Sequence, residues 1–149
     1  MTQRLDFTKA APGGMKALGS VHAYLAQSGL GASLIELVNL RVSLINGCAY
    51  CIDMHSRALL KGGMIVDKLV MVPVWCEAPS LFDTRERAAL AWAESVTLVA
   101  QTGVPDAAFE AVSAVFNEKE ITDLTITIGL MNAYNRLAIS LRKTPAAAE

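Results

Sequence analysis

The residues best able to do chemistry stand together in Asn46-Gly47-Cys48-Ala49-Tyr50-Cys51-Ile52-Asp53-Met54-His55. This stretch holds two of the chain's three cysteines and one of its two histidines. A Cys-x-x-Cys pair at the start of a helix points to thiol redox chemistry in a reducing compartment. His55 follows Cys51 by four residues, so their side chains share one helix face. A base beside a thiol yields thiolate, the nucleophilic form of sulfur. Cys48 lies nearest the helix N-terminus, where the dipole and free N–H groups also favour thiolate. The two sulfurs are one turn apart and can close a disulfide. Spacing leaves the attacking sulfur open: the dipole favours Cys48 and the neighbouring base favours Cys51.

These groups must be positioned by the helix before them. Ser33-Leu34-Ile35-Glu36 matches a capping box, which predicts a helix start at Ser33. Leu37, Leu40, Val42, Leu44 and Ile45 give that helix its apolar surface, and Asn46-Gly47 ends it. If the two helices run antiparallel about this turn, Glu36 and His55 lie nearly level, offset by roughly 3 Å at about 1.5 Å rise per residue. Carboxylate, imidazole and thiol would then line up as orienting group, base and nucleophile. Structural alternatives stand beside this reading. Glu36 can serve only as a capping residue, and His55 can be an ordinary helix residue. The cysteines can form a buried pair, or half of a zinc site needing Cys76 as fourth ligand. No metal and no cofactor is expected. Periodicity turns Tyr50 away from the Cys51–His55 face, towards packing or a pocket rim. Arg41 and Asp53 could form an ion pair or line the site.

The rest of the chain reads as helices. Residues 1–12 form an extended lead ending at Pro12-Gly13-Gly14, and a helix follows from Met15 to about Gln27. His22 on this helix reads as half-buried. The Cys48 helix stops at Gly62-Gly63. A short apolar helix covers 65–72, and Pro73 and Pro79 bracket an irregular link. Asp83-Thr84-Arg85-Glu86 is an N-cap signature for a helix reaching about Gln101, and Pro105-Asp106 opens one ending near Asn117. The last helix spans about Glu118 to Arg142. Its segment Ile121–Ile128 favours strand by propensity, but Ile121, Leu124, Ile128 and Met131 keep helical spacing. The tail from Thr144 is expected to be loose. The expectation is an all-α, single-domain bundle over residues 1–149, of about six to seven helices.

Composition narrows the classes. Of 149 residues, 53% are apolar and 18% charged, an apolar surplus that suggests covered subunit surfaces. No apolar run reaches membrane-spanning length. A net charge of -1, with no basic block, argues against nucleic acid as a partner. The N-terminus has no signal-peptide core, and three cysteines make no disulfide scaffold, so a cytoplasmic location is expected.

The collected residues resemble the alkylhydroperoxidase D core domain of the carboxymuconolactone decarboxylase superfamily. The matching positions are Glu36, Leu40-Arg41-Val42-Ser43, Asn46-Gly47-Cys48-Ala49-Tyr50-Cys51 and His55-Ser56, continuing through Glu86-Arg87-Ala88-Ala89-Leu90 and Asn132-Ala-Tyr-Asn135-Arg136. The resemblance covers nearly the whole chain. It implies an all-helical subunit forming homo-trimers or homo-hexamers, and a thiol peroxidase acting on a hydroperoxide with an unidentified thiol reductant. It gives the peroxide step to Cys51, the resolving step to Cys48 and the proton relay to Glu36 and His55. The founding peroxidases are longer and carry a second histidine between the cysteines, where this chain has Tyr50. Cys76 lies outside the pattern. The competing functions are a non-redox lyase using Glu36 and His55 as acid and base, and a redox-sensing oligomer without efficient turnover.

Overall fold

The computed structural model describes residues 2–145. Among these residues the structure is helical, with no strand. In chain order the helices are α1 (Phe7–Ala10), α2 (Pro12–Ala26), α3 (Ala32–Asn46), α4 (Ala49–Lys61), α5 (Val66–Met71), α6 (Thr84–Thr97), α7 (Val99–Thr102), α8 (Asp106–Ser113) and α9 (Glu118–Leu141). Two 3₁₀ segments, Val72–Glu77 and Pro79–Leu81, link α5 to α6.

α3 is the axis of the fold and packs against α4, α6 and α9. It is apolar nearly all round, as a helix buried on several sides must be. Val38 and Val42 enter one core with Ala93, Leu124 and Ile128. Leu37 and Leu40 enter a second core with Leu59, Val72, Phe82 and Leu90. The 24-residue α9 closes the first core. Its buried Ile121, Leu124, Ile128 and Met131 keep helical spacing, so burial of that stripe overrides the strand propensity of the segment.

The α3–α4 reversal is made by Gly47, whose φ of 69° and ψ of 35° lie in the left-handed region. The Cys48 N–H donates to the Ser43 carbonyl at 3.0 Å and the Gly47 N–H to Leu44 at 3.3 Å. That pair of bonds is a Schellman turn, which satisfies carbonyls the helix end leaves open. Cys48 then serves as the N-cap of α4. The signature at Asp83 is a full capping box: its carboxylate accepts from the Glu86 N–H, and the Glu86 carboxylate from the Asp83 N–H, each at 2.8 Å. Asn117 and Glu120 form a second such box at the head of α9.

Several expectations are corrected. The segment 1–12 is not wholly extended, because Asp6 caps the short α1 and Phe7 is buried. Pro12, Gly13 and Gly14 form the first turn of α2 rather than a break, with proline at a position where its missing N–H costs nothing. α3 begins one residue before Ser33, from Gly31 at φ 89°, and no side chain caps it. The helix expected from Asp83 to Gln101 is split at Leu98, and α8 stops at Ser113 rather than near Asn117. These short pieces raise the helix number above the expected six to seven. Of the expected loose tail, residues 146–149 lie outside the described residues.

Candidate functional site

α4 turns Cys51, His55 and Leu59 inward at four-residue intervals, and all three are buried. α3 delivers Glu36 to the same face from the opposite direction. The His55 Nδ1 and a Glu36 carboxylate oxygen are 2.6 Å apart. His55 is buried, while Glu36 keeps a quarter of its side chain exposed. The shared carboxylate fixes the ring: with Nδ1–H donating to Glu36, the neutral imidazole carries its lone pair on Nε2. That Nε2 is buried and has no partner among the described residues. Glu36 therefore reaches across to α4 and does not fold back on its own helix end, which removes the capping role.

Cys48 and Cys51 are both free and buried. The Cys51 thiol donates to Cys48 and holds the Cys48 thiol down to about 7, helped by the Cys51 backbone N–H and the Asn135 amide and opposed by burial. The bond to Cys48, burial and the charge on Cys48 together push the Cys51 thiol well above the ordinary thiol range. The pair thus titrates as one unit, and its first proton leaves Cys48. Access runs the other way. A cavity of about 310 Å³ has Cys51, Tyr50, Met54 and His55 in its wall, whereas Cys48 does not line it. The more acidic thiol is the inner one, and the outer sulfur faces the space a small molecule can enter.

A polar cluster lies behind the cysteines. Asn135, fully buried on α9, donates to the Ser43 hydroxyl at 3.1 Å and to the Met131 sulfur at 3.3 Å. Its carbonyl accepts from Asn46 at 2.9 Å, and Asn46 also donates to Asn132 at 3.0 Å. These contacts tie the residue before the turn to α9 and fix the wall against which the sulfurs sit. Ser43 and Asn135 belonged to the family pattern but carried no role from sequence. The usable signal is an asparagine inside the apolar Ile128, Met131, Ala138 stripe, since buried amides are hydrogen-bonded.

Other candidates are placed apart from this centre. Arg41 binds Glu94 at 2.9 Å and Asp53 binds Arg57 at 2.8 Å, so the two do not pair with each other as their sequence allowed. Cys76 is exposed on the first 3₁₀ segment. Among the described residues no group of three or more His, Cys, Asp or Glu is arranged to hold a metal ion. Tyr50 is half-buried at the cavity wall, and His22 is exposed at the cavity rather than half-buried. No helix among the described residues is long and apolar enough to cross a membrane.

The profile of the Carboxymuconolactone decarboxylase family matches residues 12–95, which includes α2 to α4 and most of α6. The chain is 34% identical over 141 residues to the uncharacterized protein YdfG of Bacillus subtilis, covering 95% of each chain. A solved structure of a protein of unknown function from Agrobacterium tumefaciens, for which an antioxidant defence role as AhpD has been suggested, superposes with a TM-score of 0.92. That protein is 39% identical, with 97% of this chain and 98% of the other covered. An uncharacterized peroxidase-related protein from Silicibacter gives a TM-score of 0.79 at 26% identity, covering 89% of this chain and 71% of its own.

Proposed function

The chain belongs to the carboxymuconolactone decarboxylase family, with an AhpD-like all-α core, and from that premise we propose that it is a single-domain thiol peroxidase. The observation that carries this reading is a thiol pair beside a buried base that has a free lone pair. Cys51 faces the cavity and is hydrogen-bonded to Cys48, and one turn along the same face His55 is held through Nδ1 by Glu36 with its Nε2 unpartnered.

In this reading His55 Nε2 takes the Cys51 proton, and Glu36 steadies the resulting imidazolium. The Cys51 thiolate attacks the outer oxygen of a hydroperoxide. A sulfur–oxygen bond forms, the O–O bond breaks, and the leaving alkoxide takes the proton from His55 to become an alcohol. Cys51 is now a sulfenic acid. The Cys48 thiolate attacks the Cys51 sulfur, the S–S bond forms, and hydroxide leaves, gaining a proton from solvent by way of His55. Two electrons have passed from the two sulfurs to the peroxide. An external thiol reductant returns them by thiol–disulfide exchange. The low Cys48 thiol suits the resolving role, because it is ionised near neutral pH and waits beside the sulfur it attacks.

Oligomerisation as a trimer or hexamer belongs to the same proposal. Ile65, Val66 and Val70 around α5 are each 60% exposed, an apolar strip that a second copy would cover.

The test is a thiol count on reduced protein before and after one equivalent of hydroperoxide, with mass mapping. Three thiols should fall to one, with Cys48 joined to Cys51 and Cys76 still free. In Cys48→Ser the reaction should stop at a Cys51 sulfenic acid that a sulfenic-acid trap captures. A count that stays at three, or loss confined to Cys76, would exclude the peroxidase. The lyase alternative instead requires activity that survives alkylation of the thiols.

A further inference from the structure

The cavity in front of Cys51 is mostly apolar, lined by Leu25, Ile35, Leu130 and Met131 among others, yet one ammonium group sits in its wall. Lys143 lies just beyond α9. The helix ends with Arg142 at φ 56° and ψ 51°, a left-handed conformation that a non-glycine residue adopts at some cost. The Lys143 N–H then donates back to the Ala138 carbonyl at 2.9 Å, which folds the chain over the cavity. The Arg4 N–H donates to the Leu141 carbonyl at 3.0 Å and pins the same end.

The Lys143 ammonium lies 5.4 Å from the Phe7 ring centroid and 4.9 Å from that of Tyr50. Both aromatic residues also line the cavity. Among the described residues no carboxylate comes within ion-pair distance of Lys143, whereas six other lysines and arginines are so paired. Among the described residues no Asp or Glu lines the cavity, whose wall includes Lys143 and two histidines. Two rings hold the cation in place without neutralising it. A charge left unpaired at the edge of an apolar space is costly unless a ligand completes it.

We infer that the cavity takes an amphipathic carboxylic acid, its carboxylate on Lys143 and its apolar body towards Cys51. Resting on the peroxidase reading, this makes the substrate class an organic hydroperoxide that carries an acid group. Size sets the scale. At about 30 Å³ per water-sized group, a cavity of about 310 Å³ holds about ten non-hydrogen atoms, the size of an eight-carbon acid.

The experiment compares octanoate with its neutral isostere octanamide by calorimetry on the reduced protein. Octanoate should bind about tenfold more tightly, the scale of one charge-assisted hydrogen bond, and Lys143→Gln should erase that difference. A kinetic arm compares an eight-carbon hydroperoxy acid with a neutral hydroperoxide. The ratio of their kcat/KM values should fall about tenfold in Lys143→Gln. Equal affinity for octanoate and octanamide, or an octanoate preference that survives Lys143→Gln, would overturn the acid site. If octanoate binds as expected but neither hydroperoxide is turned over, the peroxidase reading fails and the acid-bearing hydroperoxide fails with it.

Discussion

Replacing Glu36 with glutamine tests the relay most directly. The wild-type contact is a 2.6 Å bond from a buried imidazole to a carboxylate that is a quarter exposed. Glutamine keeps the shape and can still accept from Nδ1–H through its amide oxygen. It loses the negative charge that stabilises an imidazolium once His55 has taken the Cys51 proton. A bond to a charged partner is worth about 1.5–3 kcal/mol and a neutral one about 0.5–1.5 kcal/mol, so the difference is about 1–2 kcal/mol. At about 1.4 kcal/mol per tenfold, peroxide reduction should slow by about five- to thirtyfold. If the amide turns its NH₂ towards Nδ1, the ring tautomer reverses, Nε2 becomes a donor, and the loss is larger. The assay is single-turnover oxidation of the reduced protein by excess hydroperoxide, followed by stopped flow. It is repeated at rising pH, where hydroxide replaces the base and the gap between variant and wild type should narrow. A Glu36→Gln protein that matches wild type at neutral pH would refute the relay. So would a deficit of the same size at every pH, which would point to a folding defect rather than a lost proton acceptor.

Two further outcomes follow. The Cys48 thiol is lowered to about 7, so the pair is neutral and slow below that pH and carries one negative charge above it. Because the Cys48 thiolate is the resolving nucleophile, the rate of disulfide formation from the Cys51 sulfenic acid should rise through about pH 7 and then level; a midpoint near an ordinary thiol value would contradict the hydrogen-bonded pair. Asp83→Ala removes the N-cap of α6, which should cost about 1 kcal/mol and lower the midpoint of thermal unfolding by about 3 °C with no change in thiol chemistry.

The sequence was informative wherever a local pattern had one physical meaning. Asn46-Gly47 encodes a reversal because glycine accepts the left-handed conformation, and counting outward from it brought Glu36 level with His55. The same glutamate shows where local reading runs out. Ser33-Leu34-Ile35-Glu36 satisfies the capping pattern, yet the helix starts before Ser33 and the carboxylate is taken by a residue nineteen positions away. A pattern of four residues does not say whether a side chain reaches back or across. The short α1 was not legible because it depends on burial of Phe7 and on the tie from Arg4 to the end of α9. Asn135 and Lys143 needed the tertiary structure for the same reason: one is explained by its buried partners, the other by the two rings that frame it.

The left-handed glycine between α3 and α4 also fixes the angular phase of the second helix. Each residue added to the reversal would rotate α4 by about 100° and advance it by about 1.5 Å, carrying the imidazole off the face that meets the carboxylate. Loop lengths elsewhere on the surface can drift with small penalty. This connection has no such latitude, because two sulfurs, a base and its counter-charge are all indexed from a single φ/ψ pair.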